Sequence, residues 1–276
     1  MTEEFGLNRI DKIYGLIREL DCLNIGKQSA ERLAEHGPLA IEPLRWFLLE
    51  GEPRKIFQPR LWAVEALARL RAKDVLLEYL LLAREIPDPE DQFGEEAVES
   101  AAARFLASWR TEDVYEALLK LSEQRMLVGL IDALAEFKRP ESIPYFERAL
   151  EDDFYRSASE EAFLKMGAAA CCALVKSAVT PQPGFFMETP SSIQRRRSAV
   201  KLLYKIGMPP EHWQVLRELI HDSDEEVFVG VSKLGIRIAS KDERLVIARR
   251  IKKIAPSAPW YLHEDVKSIL ALSKRR

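Results

Sequence analysis

Apolar residues recur at helical spacing through almost the whole chain, and this pattern limits the possible folds more than any other feature. The segments LWAVEALARL from Leu61, SAAARFLASW from Ser100 and GLIDALAEF from Gly129 place apolar residues at i, i+3, i+4 and i+7. Alternating strand patterns are almost absent, and short breakers such as HGP at His36 and GMPPE at Gly207 separate the helices. Amphipathic helices joined by short turns predict an all-α fold in which helix packs on helix.

A helix–turn–helix unit recurs along the sequence. When its copies are superposed, one apolar position repeats at spacings of 34, 39, 28, 29, 40 and 32 residues. The residues at that position are Leu33, Leu67, Leu106, Leu134, Phe163, Leu203 and Gly235. A unit of about thirty residues, repeated in this way, predicts an α-solenoid in which each helical hairpin is completed by its neighbours.

The units resemble the HEAT-like repeat family, in the short form found in bilin-lyase-type repeat proteins. The clearest copies are RSAVKLLYKIG from Arg197, EEVFVGVSKLG from Glu225 and YRSASEEAFLKMG from Tyr155, although several other units lack the turn glycine of the family pattern. The resemblance covers about residues 29–254 and implies a right-handed α-solenoid, or alpha-alpha superhelix, of about seven hairpins. It implies no activity, because the repeated residues are packing residues.

The same pattern predicts a single α-solenoid domain over residues 1–276. Residues 1–27 are expected to form an N-terminal cap, 28–254 the HEAT-like repeats, and 255–276 a C-terminal cap helix. Capping helices over about 7–20 and 263–273 would cover the open ends of the repeat array.

Composition indicates a cytoplasmic protein. No segment approaches the ~18 consecutive apolar residues that a membrane span needs, so we expect no membrane partner. The three cysteines, Cys22, Cys171 and Cys172, are odd in number and two are adjacent. They make a poor disulfide framework and suit a reducing compartment.

Motifs that carry chemistry are missing from the sequence. It contains no H-E-x-x-H or Cys-x-x-Cys zinc pattern, no phosphate-binding glycine loop and no Gly-x-Ser-x-Gly. We therefore expect no catalytic residue, no metal and no cofactor. Acidic residues are concentrated in PDPEDQFGEE, from Pro87 to Glu96, which we interpret as a solvated run in a proline-containing loop. A surface for a basic partner, or a two-carboxylate site assembled across repeats, stays open as an alternative.

Charge is unevenly distributed, although the net charge is only -3. Residues 191–276 carry a net charge of +8, and residues 1–190 carry -11. Such asymmetry can steer a partner. Within the basic portion, Arg197, Lys201 and Lys205 lie at i, i+4 and i+8, and they are predicted to form a positive stripe on one helix face.

The long connection TPQPGFFMETPSS, from Thr180, precedes the basic stripe. It contains Phe185, Phe186 and Met187, which either fold back onto neighbouring hairpins or form an apolar docking tip. Ser191 and Gln194 have capping-box spacing, which predicts that the following helix begins at Ser191. Because this connection and two others, from Gly51 and from Glu85, each lead into the first helix of a unit, we expect them to share one edge of the solenoid.

Three arginines take the arginine position of the family repeat, namely Arg60, Arg156 and Arg196. On a helical wheel Arg196 falls inside the apolar arc, so we interpret this set as structural. Arg195 sits near the boundary of the same arc.

The leading hypothesis is a non-enzymatic scaffold that mediates protein–protein interaction through its concave helix surface and the loop-bearing edge. The candidate partner-binding residues are Phe185, Phe186, Met187, Arg195, Arg197, Lys201 and Lys205. By fold analogy alone, a cofactor-handling protein or enzyme similar to the bilin lyases is one alternative. Nucleic-acid binding through the basic C-terminal portion is another, disfavoured because the overall charge balance is acidic.

Overall fold

The chain is all-helical, as predicted. The computed structural model describes residues 2–82, 84–185 and 187–273, with side chains from residue 9 onward. Within these ranges there is no strand, and the one extended pairing is an isolated antiparallel bridge between Pro183 and Glu188. The chain divides into two compact units, residues 1–137 and 138–276. Whether they form the single predicted domain stays a prediction.

The described part of the first unit contains eight α-helices. They are α1 (Thr2–Glu19), α2 (Gly26–Glu35), α3 (Ile41–Glu50), α4 (Gln58–Arg69), α5 (Lys73–Leu81), α6 (Pro89–Ala107), α7 (Glu112–Ser122) and α8 (Val128–Phe137). The even-numbered helices α2, α4, α6 and α8 pack on one another in succession, α3, α5 and α7 form a second row, and α1 covers α2 and α3.

The second unit repeats this helix pairing. Its helices are α9 (Ile143–Leu150), α10 (Arg156–Met166), α11 (Cys171–Val179), α12 (Pro190–Ile206), α13 (Trp213–Leu216), α14 (Glu225–Gly235), α15 (Lys241–Ile254) and α16 (His263–Ser273). Here α10, α12, α14 and α16 pack successively, and α15 packs against α16.

The repeated apolar position forms the core of both units. Leu33, Leu67, Leu106, Leu134, Phe163 and Leu203 are all fully buried. The seventh copy, Gly235, is buried as well, and a Cβ at this residue would overlap the ring of Trp213. The glycine therefore makes room for a tryptophan that fills the space of the missing leucine.

The turns after the first helices show which residues take the place of glycine where the sequence lacks it. Gly37, Gly167 and Gly207 have positive φ, and so do Arg71 (φ 58), Arg110 (φ 53) and Lys138 (φ 54). An L-residue in this region costs about 1–2 kcal/mol. Cationic residues thus take the place of glycine in three turns and keep a positive φ there.

One helical run passes a length-and-composition test for a membrane span. The run Arg156–Val179 has a mean hydropathy of 1.5, and half of the window is buried inside the protein. It comprises α10, a short 3-10 turn and α11, and it is broken at Gly167, where φ is 61. Core helices pass the same test, so the match is weak evidence for a membrane location.

A close contact between two helices of the first unit leads to a stability prediction. A Cβ at Gly129 on α8 would overlap the backbone carbonyl of Ser100 on α6. Gly129→Ala should therefore push α8 away from α6 and destabilise the first unit by about 1–3 kcal/mol, measured by urea unfolding. The control, Gly15→Ala in α1, has open space around the new Cβ, and it should be neutral or stabilising by up to about 1 kcal/mol. Equal effects of the two substitutions would contradict close packing at Gly129.

Candidate functional site

A groove crosses the helix face formed by α10, α12, α14 and the start of α16 in the second unit. Its volume is about 400 Å³. The floor is apolar and narrow at Gly230, where an added Cβ would lie 2.6 Å from Val200 Cγ1. Its polar and aromatic lining residues are Arg156, Glu160, Gln194, Arg197, Ser198, Lys201, Tyr204, Lys205, Glu226, Lys233 and Asp265. These walls around an apolar floor form a concave site for a polar or charged segment.

Ion pairs across neighbouring helices hold most of the cations in the walls. Arg197 on α12 pairs with Asp224 through Nη2 and Oδ2 at 2.6 Å and with Glu226 at 2.5 Å. Burial acts to raise the pKa of Asp224, but hydrogen bonds from Arg197 and from the Val227 N–H lower that pKa below its usual value. Arg197 therefore bridges α12 to the N-terminal end of α14.

Two more pairs complete the walls. Lys201 Nζ lies 2.7 Å from Glu160 Oε2 on α10, and Lys233 Nζ lies 2.6 Å from Asp265 Oδ1 on α16. Lys233 also stands 4.1 Å from the centre of the Tyr204 ring, in cation–π contact. Tyr204 is about half exposed, so it offers the groove an aromatic face whose position is held by a neighbouring cation.

A second cavity adjoins the first and shares Tyr204 and Lys233 with it. Its volume is about 200 Å³. It lies where α12 and α14 end and where α16 passes, and its other lining residues are Gly207, Met208, Leu234, Ile236, Arg237, Ser268, Ile269 and Leu272. Among the residues that the structure describes, this lining contains two cations and no carboxylate.

The predicted basic stripe faces the groove. Arg197, Lys201 and Lys205 all line it. Sequence reasoning missed Lys233 and Arg237, yet a signal for both was present, since Lys201 and Lys205 recur 32 residues later as Lys233 and Arg237. That spacing equals the repeat length between Leu203 and Gly235, so two successive repeats carry cations at equivalent positions.

Arg195, which was also predicted to bind a partner, is buried and forms its hydrogen bonds within the protein. Its side chain is 8% exposed, and its Nη1 and Nη2 donate to Glu151 Oε1 and to the Thr180 carbonyl, each at 2.6 Å. We therefore leave Arg195 out of the proposed binding surface.

The three repeat arginines share one contact. Each donates a hydrogen bond to a carbonyl at the end of the helix that precedes it in the chain: Arg60 to Gly51, Arg156 to Leu150 and Arg196 to Ala178, at 2.9, 2.9 and 2.8 Å. The last carbonyls of a helix have no partner within it. Each of these arginines supplies a hydrogen-bond donor to such a carbonyl and so joins two consecutive hairpins.

The connection before α12 forms a tight turn with an exposed tip. Gly184 N–H donates to the Met187 carbonyl, and Thr189 N–H donates to the Gln182 carbonyl. Phe185 is 93% exposed and Met187 is 75% exposed, so the fold-back interpretation is wrong for these two side chains. Phe186 lies outside the described residues.

The start of α12 differs from the sequence prediction. The helix begins at Pro190, and its N-cap is Thr189, whose Oγ1 accepts from the Ser192 N–H at 3.3 Å. The capping box predicted at Ser191 and Gln194 is therefore wrong. Proline is favoured at the first helical position because its fixed φ suits a helix and its missing N–H is not needed there; it therefore shifts the start by one residue.

The acidic run from Pro87 to Glu96 also differs from its interpretation as a solvated loop, because α6 begins at Pro89. Glu95 is 1% exposed and pairs with Arg60 at 2.6 Å, and the Tyr79 hydroxyl donates to the same carboxylate at 2.8 Å. Burial raises the pKa of Tyr79 well above its usual value, so it remains a donor.

A second buried carboxylate, Glu99, lies one helical turn further along α6. It is 4% exposed and accepts from Arg125 Nη1, while its Oε2 atom has no hydrogen-bond partner among the described residues. Burial, with smaller contributions from nearby Glu95 and Glu96, raises the pKa of Glu99 to about 7, although Arg125 acts to lower it. Glu95 and Glu99 are both buried, but they lie on the same helix, so they are not the predicted pair of carboxylates assembled across repeats, which stays a prediction. The cavity beside Arg60 in the first unit is lined by neither one. The groove of the second unit is the better candidate site.

Comparison with known proteins adds no assignment. No protein-family model matches the sequence, and no curated protein matches it.

Proposed function

We propose that the protein is a non-enzymatic interaction scaffold, a HEAT-like α-solenoid whose second unit binds a segment of a partner protein in the groove across α10, α12, α14 and α16. The observation that carries the proposal is the groove itself, with its apolar floor at Gly230 and Val200 and its walls of paired charges. The successive packing of equivalent helices in each unit supports the solenoid.

The chemistry of the groove suits a protein ligand. Apolar, aromatic and charged groups alternate over a short distance, as they do at protein interfaces, where tyrosine and arginine contribute most to affinity. Tyr204 is the aromatic group of this surface, and the paired cations Arg197 and Lys201 flank it on α12. The bilin-handling and nucleic-acid alternatives stay predictions.

The exposed tip at Phe185 and Met187 is the second element of the proposed surface. Apolar side chains at such exposure are unfavourable in water, and a partner that covers them would gain about 25 cal/mol per Å² of apolar area. The tip belongs to the connection that leads into α12, the helix that supplies Arg197, Lys201 and Tyr204 to the groove.

A quantitative capture experiment tests the groove. The tagged full chain is compared with a Lys201→Glu, Tyr204→Ala variant, and captured proteins are identified, purified and measured by calorimetry. A true partner should bind the variant about tenfold more weakly or worse, because an interface anchor and a charge are lost. Lys176→Glu, an exposed charge reversal on α11 outside the groove, is the matched control and should leave affinity unchanged.

The tip is tested with the same partner by Phe185→Ser with Met187→Ser. These substitutions leave Glu188 and Thr189 in place, which a deletion of the loop would remove together with the Arg196 ion pair and the α12 cap. Weaker binding is expected. If every identified partner binds the groove variant and the tip variant as tightly as the unchanged chain, the proposal is wrong.

A further inference from the structure

We propose that Lys205, at the end of the groove, and Arg237, in the adjoining cavity, recognise acidic side chains, and that this cavity also takes an apolar side chain of the same partner segment. The partner class is therefore a protein with a short acidic, apolar motif. The inference rests on the proposed function, because it assigns chemistry to one end of the same groove.

The first observation is which cations are free. Arg197, Lys201 and Lys233 are neutralised by carboxylates of this chain. In the part of the chain that the structure describes, Lys205 and Arg237 are both exposed and neither has a carboxylate partner. The unpaired positive charge of this face therefore collects where α12 and α14 end.

Repeat geometry brings these cations onto one surface. Lys205 and Arg237 occupy equivalent positions in two successive repeats, 32 residues apart. The helices α12 and α14 of these repeats pack directly against each other. Lys205 lines the groove and Arg237 lines the adjoining cavity, and both sites include Tyr204 and Lys233. A ligand that spans the shared wall meets both free cations.

The second observation is that the adjoining cavity combines apolar with charged lining residues. Met208, Leu234, Ile236, Ile269 and Leu272 line it, together with the polar side chains of Tyr204, Lys233, Arg237 and Ser268. A volume of about 200 Å³ has room for a leucine-sized side chain. An apolar side chain of the partner would fill this cavity, while the carboxylates on either side of it would pair with Lys205 and Arg237.

The combination favours a peptide over a nucleic acid. Phosphate backbones are bound by many free cations, each of which releases a counterion. On this face most of the cations are already paired within the protein, which leaves only two free cations, in the described residues, for a phosphate backbone. The carboxylates of the partner would pair with the same two cations, and the neighbouring apolar side chain of the partner would occupy the cavity.

Fluorescence polarisation with synthetic peptides tests the inference. The probe is a labelled peptide in which glutamates flank a central leucine, and the comparison peptides replace its glutamates by glutamine or its leucine by serine. The full chain should bind the glutamate peptide about tenfold more tightly than the glutamine peptide. Lys205→Glu with Arg237→Glu should abolish that preference, and Ser268→Trp, which fills the cavity, should abolish the preference for leucine over serine.

Matched variants separate the site from overall charge. Lys176→Glu with Lys252→Glu makes the same change in net charge at exposed positions outside both cavities, and it should leave peptide affinity unchanged. An equal loss in this control would overturn the site, as would equal binding of the glutamate and glutamine peptides. Circular dichroism of each variant verifies that the helices are intact.

A labelled oligonucleotide provides the remaining outcome. If it binds more tightly than the glutamate peptide, and Lys205→Glu with Arg237→Glu removes that binding, the ligand is a nucleic acid and the inference is wrong. If Lys201→Glu with Tyr204→Ala weakens an identified partner while the peptides show no preference for acid, the proposed function stands and only this inference fails.

Discussion

Glu95→Ala is expected to destabilise the first unit by about 3–5 kcal/mol, the usual effect of removing one member of a buried ion pair. The carboxylate accepts from Arg60 Nε at 2.8 Å, from Arg60 Nη2 at 2.6 Å and from the Tyr79 hydroxyl at 2.8 Å. Alanine would leave a buried guanidinium and a buried hydroxyl without their acceptor. Urea unfolding followed by circular dichroism gives the change in free energy.

Two further variants show whether the loss comes from the uncompensated charge. Arg60→Met combined with Glu95→Gln removes both charges and keeps an acceptor for Tyr79, so it should recover a large part of the lost stability. Glu90→Ala removes an exposed partner of Lys55 on the same helix and should cost less than about 1 kcal/mol. If Glu95→Ala costs no more than Glu90→Ala, the buried pair is not a principal source of stability.

Stability should fall as pH rises from about 4.5 to about 7, and Glu99→Gln should remove that part of the fall. The pKa of Glu99 rises from 4.5 to about 7 in the folded protein, mainly because the side chain is buried. Between these values the folded state retains a proton that the unfolded state has released, so the free energy of unfolding decreases with pH. A shift of this size corresponds to roughly 3 kcal/mol.

The measurement compares the two proteins across the pH range. The unfolding free energy of Glu99→Gln minus that of the unchanged chain should increase by roughly 3 kcal/mol between acid and mildly alkaline pH. Any constant effect of the altered Arg125 contact cancels in this difference. Glu96→Gln, on the same helix and only partly buried, should give a nearly parallel curve. A parallel curve for Glu99→Gln as well would show that this carboxyl does not titrate near neutrality.

Helical periodicity predicted the fold class because burial of a helix face leaves a local trace in the sequence. The repeated apolar positions Leu33, Leu67, Leu106, Leu134, Phe163 and Leu203 are all in the core. The turn conformation was harder to predict, because Arg71, Arg110 and Lys138 adopt a backbone region that their sequence does not favour.

The candidate site was predictable only in part. Spacing along one helix placed Arg197, Lys201 and Lys205 on a common face, but it gave no information about which of them are neutralised by other helices. Glu160 and Asp265, which pair with Lys201 and Lys233, come from α10 and α16. The burial of Glu95 was hidden for the same reason, since its partner Arg60 lies 35 residues earlier.

The connection before α12 has a stem, residues 182–183 and 188–189, that is anchored by Arg196. The buried Arg196 guanidinium pairs with Glu188 in the stem at 2.6 Å, pairs with Asp222 just before α14, and donates to the Ala178 carbonyl. Gln182 N–H donates to Ser192 Oγ on the other side of the stem. A partner that docks on Phe185 and Met187 would thus bind next to a stem whose backbone is already held by hydrogen bonds. The stem would lose little conformational entropy on binding, so a small contact area at the tip would still yield useful affinity.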